Sequence, residues 1–270
     1  MKKYQNLQNN LNNIQNLKLE ISYDGTNYSG FQIQQNAITI QEVIENVLFI
    51  LFKEKIRIKY SGRTDAGVHS KGQVINFHIE KSKIPLNKIK LALCNILFNK
   101  QITINTVKEV DNEFHSRYDS KVRMYRYYIS LNKNDIFFNK YSVYMGKNIY
   151  DIEKLQNYLK PILGSHDFTN LASSKDISIS KTREIFEINV IKKNEFIIID
   201  IYGNAFLKNM VRGIIGNLFY AYNNLKDYNY FDTILKKNEK IKNYYTAPAK
   251  GLFLQKVYYD KIFGYRKYYN

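Results

Sequence analysis

The chain has 270 residues, 44% of them hydrophobic and 24% charged, and its 41 Lys and Arg outnumber 24 Asp and Glu for a formal net charge of +17. These proportions exclude a disordered chain and suffice for one large domain or two small ones, each with its own core. The positive excess favours a polyanionic partner, because each phosphate neutralised releases condensed counterions.

Residues 1–16 are rich in Asn and Gln and read as a loosely ordered tail. Leu17 to Tyr23 alternates as a strand, and Asp24-Gly25 turns it. Thr39, three residues before Glu42, forms a capping-box pattern ahead of a helix whose stripe runs Ile40, Ile44, Val47, Leu48 and Leu51. Strands are predicted near 55–60 and over 73–79. Pro85 then opens a second helix, and Ile102 to Val110 alternates as a strand. The sole cysteine, Cys94, sits on the second helix as a buried thiol, so no disulfide forms within the chain and a reducing cytoplasm is expected.

The second half repeats this order. A strand over Val122 to Leu131 precedes a helix over Asp151 to Leu163, then a hairpin (Thr182 to Ile191 and Phe196 to Tyr202) turned at Lys193-Asn194. A helix from about Ala205 to Tyr222 follows, with Phe206, Met210, Ile214 and Leu218 as its stripe and Arg212 off it. A short helix within 228–242 and a strand over Leu252 to Tyr258 complete the chain. The expected fold is therefore α+β: two ferredoxin-like βαββαβ units, over 17–115 and 116–270, with antiparallel sheets, helices on one face and the active cleft between them. The longest wholly apolar run, Val47 to Phe52, is too short for a membrane span.

The densest chemistry lies in Ser61-Gly62-Arg63-Thr64-Asp65-Ala66-Gly67-Val68-His69-Ser70, a glycine-bracketed acid between two strands. Alone, Asp65 reads first as a solvated or turn-forming carboxylate. Asp65 and His69 are four apart, a metal-ligand spacing on a helix, but Gly67 between them argues for a loop, and no metal is expected. The stretch resembles the signature of the TruA family of tRNA pseudouridine synthases, with Ser70 where that family more often has alanine. Asn204 to Gly216 resembles its second signature, Arg123-Met124-Tyr125-Arg126-Tyr127 its Arg-x-Tyr-x-Tyr strand, Tyr23 to Gln32 its N-terminal motif with Phe31 in place of tryptophan, and Ala247 to Leu252 its closing motif.

The resemblance implies an isomerase converting uridine to pseudouridine at positions 38 to 40 of the tRNA anticodon stem-loop, without external cofactor. Asp65 would be the catalytic carboxylate and Arg212 its ion-pair partner. Tyr125 would stack on the uracil and assist proton transfer at C5, and Leu252 would pack beneath the base. Arg63 would contribute to substrate binding, as would His166 in the loop Gly164 to Phe168, which reads equally as a capped helix end. The family works as a homodimer with one tRNA bridging both subunits. Two other readings are a non-catalytic RNA-binding protein built on tandem ferredoxin-like folds, and a metal-dependent hydrolase using Asp65, His69 and His166.

Overall fold

The computed structural model describes residues 13–146, 151–236 and 245–260. Strand β1 (Ile14–Tyr23) buries Leu17, Leu19 and Ile21 on one side. It begins three residues before the expected Leu17 because Asn16, assigned to the tail by composition, is fully buried and its amide donates to the carbonyls of Asp111 and Phe114, both at 2.9 Å. Most of the tail lies outside the described residues. Helix α1 (Ile40–Phe52) starts as its capping pattern requires, with Thr39 Oγ1 accepting from the Glu42 N–H. Strand β2 is reduced to Lys59–Tyr60, while β3 (His69–Glu80) begins four residues earlier than expected and absorbs the end of the Asp65 loop. Helix α2 (Leu86–Leu97) and strand β4 (Ile102–Val110) fall where the pattern puts them.

The second half contributes β5 (Val122–Ser130), β6 (Val143–Tyr144), α3 (Ile152–Leu159), β7 (Gly164–Asp167), β8 (Thr182–Lys193) and β9 (Phe196–Gly203). Then come α4 (Met210–Asn223), α5 (Tyr230–Lys236) and β10 (Leu252–Tyr258). The β8–β9 turn forms at the expected place, where Asn194 takes a left-handed φ of 51°. Helix α4 starts five residues later than its apolar spacing suggests. Asn209, at φ 60°, is left-handed and cannot continue a helix backwards, so Phe206 leaves the stripe and sits on a loop.

The expected pair of separate antiparallel sheets is not what forms. The strands make one ten-stranded sheet of order β4-β1-β3-β10-β5-β9-β8-β7, with β2 beside β3 and β6 beside β5. The join is a short parallel contact between β10 and β3, Phe253 opposite His69 and Leu254 opposite Ser70. Because β2 pairs only with Ile75 and Asn76, the first residues of β3 are left open for β10. The Ser70 hydroxyl donates to the Leu254 carbonyl at 3.0 Å, and a Cβ on Gly72 would lie 2.7 Å from the Gln255 carbonyl oxygen, so only glycine permits this approach. One core packs α1 and α2 on β1 and β3 around Phe31, Leu48 and Phe77; another packs α3, α4 and α5 on β5 and β9 around Tyr127, Phe168 and Phe231. Each fully buried Leu, Ile or Phe contributes about 1.5–3 kcal/mol of burial. The two cores flank the join, and the chemistry-bearing loops gather there.

Candidate active site

Residues 61–68 cross from β2 to β3 and are clamped by the motif over Tyr23 to Gln32. The Phe31 N–H donates to the Thr64 carbonyl at 3.1 Å, the Gly67 N–H donates to the Tyr28 carbonyl at 3.3 Å, and the Tyr23 and Thr64 hydroxyls are 2.8 Å apart. A Cβ on Gly25 would stand 2.0 Å from the Val68 carbonyl oxygen, which leaves no room for any other residue. Gly67 turns the loop at φ 74°. His69 anchors its end: the ring is 1% exposed, stacks on Phe253 at 4.6 Å, accepts from the Gly25 N–H at Nδ1 and lies 3.1 Å from Asp24 Oδ1. Burial pushes the His69 pKa down, which suits a neutral ring accepting a hydrogen bond.

With its backbone held, the loop presents Asp65 to a cavity of about 580 Å³ at the join of the two halves, a volume suited to one small ligand or nucleotide. The Asp65 side chain is 23% exposed, and Arg212 Nη1 lies 4.0 Å from its Oδ2. Arg212 sits in the first turn of α4, locked to the segment before β10. Its Nε donates to the Ala247 carbonyl at 2.8 Å, its own carbonyl accepts from the Ala247 N–H at 2.9 Å, and its Nη1 donates to Asn209 Oδ1 at 3.2 Å. The Asn209 N–H donates to the Asp65 carboxylate, so the start of α4 adds its dipole to the charge of Arg212. Burial nevertheless pushes the Asp65 pKa up, against the pull of Arg212, Lys208 and the Asn209 N–H. A carboxylate so placed is partly desolvated, and the nearby cation favours its ionised form.

Tyr125, on β5, lines the same cavity, almost wholly buried and edge-on to Phe206 with ring centroids 4.9 Å apart. Burial pushes its phenol far above the ordinary range, and the charge of Asp65 adds to that effect. Leu252, 4% exposed, forms part of the wall, and exposed Arg63 stands at its edge. The structure thus gathers Asp65, Arg212, Tyr125, Arg63 and Leu252 around one space. His166 is not among the residues lining it. The expected loop over Gly164 to Phe168 is instead edge strand β7, where His166 pairs with Arg183 and its Nε2 lies 2.7 Å from the Leu163 carbonyl oxygen. Nor does His69 line the cavity, so neither histidine stands beside Asp65 as the hydrolase reading needs.

Several lining residues carry no sequence-derived role: Phe206, Lys208, Asn209, Arg117, Arg123 and Arg183. The first three lie inside the stretch that resembles the second signature, so a signal was present. Arg183 lies in Thr182-Arg183-Glu184-Ile185, which resembles a strand start of the same family, so a signal was present there too; for Arg117 no pattern was read.

A half-buried carboxylate, an arginine on a helix start and a tyrosine from a neighbouring strand share one cavity of nucleotide size, the arrangement of an enzyme site. Residues 21–119 and 159–260 match a family model described as tRNA pseudouridine synthase, and the chain belongs to that family. It is 36% identical to the tRNA pseudouridine synthase A of Brachyspira hyodysenteriae over 91% of this chain and 99% of the relative. It is 42% identical to that of Borreliella afzelii, over 89% of this chain and 98% of the relative. Among solved structures, one chain of a Cbf5-Nop10-Gar1 complex aligns with a TM-score of 0.35 and 11% identity, covering 75% of this chain and 44% of that one.

Proposed function

We propose that this protein isomerises uridine to pseudouridine at positions 38–40 of the tRNA anticodon stem-loop, with Asp65 as the reacting carboxylate. The observation that carries the reading is the approach of Asp65 and Arg212 across the cavity, 4.0 Å apart and drawn from the two halves of the chain. The reaction breaks the bond between ribose C1′ and uracil N1, rotates the base, joins C5 to C1′, and moves a proton from C5 to solvent while N1 gains one. No oxidant or reductant enters. A carboxylate kept ionised beside C1′ acts as nucleophile or base, or stabilises charge developing on the sugar. Tyr125 supplies a ring face to replace the stacking that an extruded base loses. Held as a neutral phenol by burial, it relays a proton at C5 and does not begin as phenolate.

The strand order supports the finer reading of two ferredoxin-like units sharing one sheet: β4-β1-β3 with β2 beside β3, and β10-β5-β9-β8, all antiparallel within each set. Family membership supports a homodimer in the cytoplasm, with one tRNA spanning both subunits; a mass measurement by light scattering tests the dimer. The activity is tested with tRNA carrying 5-tritiated uridine. The protein releases tritium to water and Asp65→Asn does not. Release by Asp65→Asn at the wild-type rate overturns the assignment.

A further inference from the structure

The cavity carries more charge than the Asp65–Arg212 pair uses. Six cationic side chains line it, Arg63, Arg117, Arg123, Arg183, Lys208 and Arg212, against the two carboxylates of Asp65 and Asp176. Arg212 and Lys208 are the cations whose charge acts on Asp65. Asp176 is occupied: it accepts from Lys181 Nζ at 2.7 Å, from the Lys208 N–H at 2.7 Å and from the Ser178 N–H at 2.8 Å. Among the described residues, Arg117, Arg123 and Arg183 form no ion pair with any carboxylate.

Arg123 is 8% exposed and is satisfied by backbone. Its Nε and Nη2 donate to the Ser61 carbonyl at 3.1 and 2.8 Å, Nη2 donates to the Arg117 carbonyl at 2.9 Å, and Nη1 donates to the Asn204 carbonyl. It therefore fixes three segments at once: the root of the Asp65 loop, the Arg117 turn and the approach to α4. Arg117 and Arg183 are not so provided for. The exposed Arg117 guanidinium lies only over the Tyr118 ring, 5.9 Å from its centroid. Arg183 spends Nη1 on the carbonyls of Ser180 and Thr182, while its buried Nε has no hydrogen-bond partner. Burial is the main influence that disfavours the charge of Arg123 and of Arg183, and repulsion from Arg117 adds to it, while Asp176 favours the charge of Arg183. Tyr125 lines the same cavity as Asp65, Arg117, Arg123 and Arg183.

Two guanidiniums with no ion-pair partner within 4.0 Å among the described residues, in the lining of a pocket for one nucleotide, describe half of a charge-assisted contact. We propose that Arg117 and Arg183, in the lining of the same cavity as Asp65, form a subsite for a single phosphodiester of the bound RNA strand, with Arg123 as the positioning residue that holds it open. This deepens the proposed function and rests on RNA occupying the cavity. The reacting base and the sugar–phosphate chain leaving it are then gripped by separate groups: Asp65 and Arg212 at the sugar, Arg117 and Arg183 at the backbone.

The test reads binding and turnover separately on a 17-nucleotide anticodon stem-loop RNA. Fluorescence anisotropy across a KCl series is measured for wild type, Arg117→Gln, Arg183→Gln and the double variant. Each single change lowers the salt slope by about one contact and weakens binding about five- to eightfold at 0.1 M salt. Single methylphosphonate linkages, which remove one backbone charge each, are then placed around the target uridine. One of them weakens wild type to the same extent and leaves the double variant unaffected. Unchanged slopes, or the absence of any linkage that couples to the double variant, overturn the subsite. So does a loss of single-turnover rate at saturating RNA with affinity intact, which would place these arginines in the chemistry. Arg183→Lys retains most of the slope if a point charge suffices and loses affinity if the fork is used; loss of slope with retained affinity contradicts the proposal. Tritium release by wild type on the same RNA judges the catalytic reading independently, because the coupling needs no turnover.

Discussion

Arg212→Ala is the most informative single change, because the structure states what it removes. Two unit charges 4.0 Å apart interact by about 4 kcal/mol at an effective dielectric near 20. Water entering the vacated space recovers part of that, leaving a loss of about 2–3 kcal/mol, or roughly 30- to 150-fold in rate. The Asn209 N–H and Lys208 still act on Asp65, so activity is reduced and not abolished. The pH dependence carries a sign. Burial already raises the Asp65 pKa above the ordinary carboxylate value, and Arg212 is the largest influence pulling it back. Since the ionised form reacts, kcat/KM falls on the acid side as pH drops through that pKa, and removing Arg212 moves this limb to higher pH. Single-turnover tritium release against pH measures both effects, with RNA affinity followed by anisotropy. Affinity should change little. If binding and turnover fall together and the acid limb stays in place, Arg212 holds a phosphate and the ion-pair argument fails.

Asp65→Asn should make the protein more stable at neutral pH while ending turnover. A carboxyl with a raised folded pKa disfavours its own charge, so the wild type bears that cost above the folded pKa and sheds it as pH falls through it. The gap in melting temperature is therefore widest near pH 7 and narrows on acidification; a gap that widens refutes the sign. Tyr125→Phe should keep RNA affinity, since the ring and its edge contact with Phe206 remain, but slow tritium release; undiminished release leaves the ring as the only working part. Asp200→Ala should cost about 3–5 kcal/mol by chemical denaturation. Asp200 is 1% exposed and holds Arg126 at 2.6 and 2.7 Å between β5 and β9, so its removal strands a half-buried cation. A loss below about 1 kcal/mol would put that pair in the class of exposed ion pairs.

What could be read from the sequence and what could not divide along physical lines. The Asp65 loop was legible because glycines mark it and its clamp: Gly67 turns it at a left-handed φ that glycine adopts without strain, and Gly25, on the segment that holds it, lies too close to the Val68 backbone for any side chain. The start of helix α1 was legible to the residue, because its cap lies within one turn of the helix it starts. The start of α4 was not, since Ala205, Phe206 and Leu207 keep helical spacing while serving a loop, and only the left-handed Asn209 reveals the break. The fusion of the two sheets was out of reach, because it depends on a two-residue contact between strands some 180 positions apart. That contact sets the site. By drawing β10 against β3 it brings Ala247, and through it Arg212, to the loop that bears Asp65, so the ion pair is a product of the sheet join and not of either half alone. Shortening β2 is what leaves the edge of β3 open for this, and an extension of β2 past Tyr60, beyond Ile75 toward Ser70, would compete with β10 for the same backbone groups. The same logic explains why Arg117 escaped notice: it is an exposed arginine in its own segment, and joins the cavity wall only when Arg123 ties Ser61, Arg117 and Asn204 together.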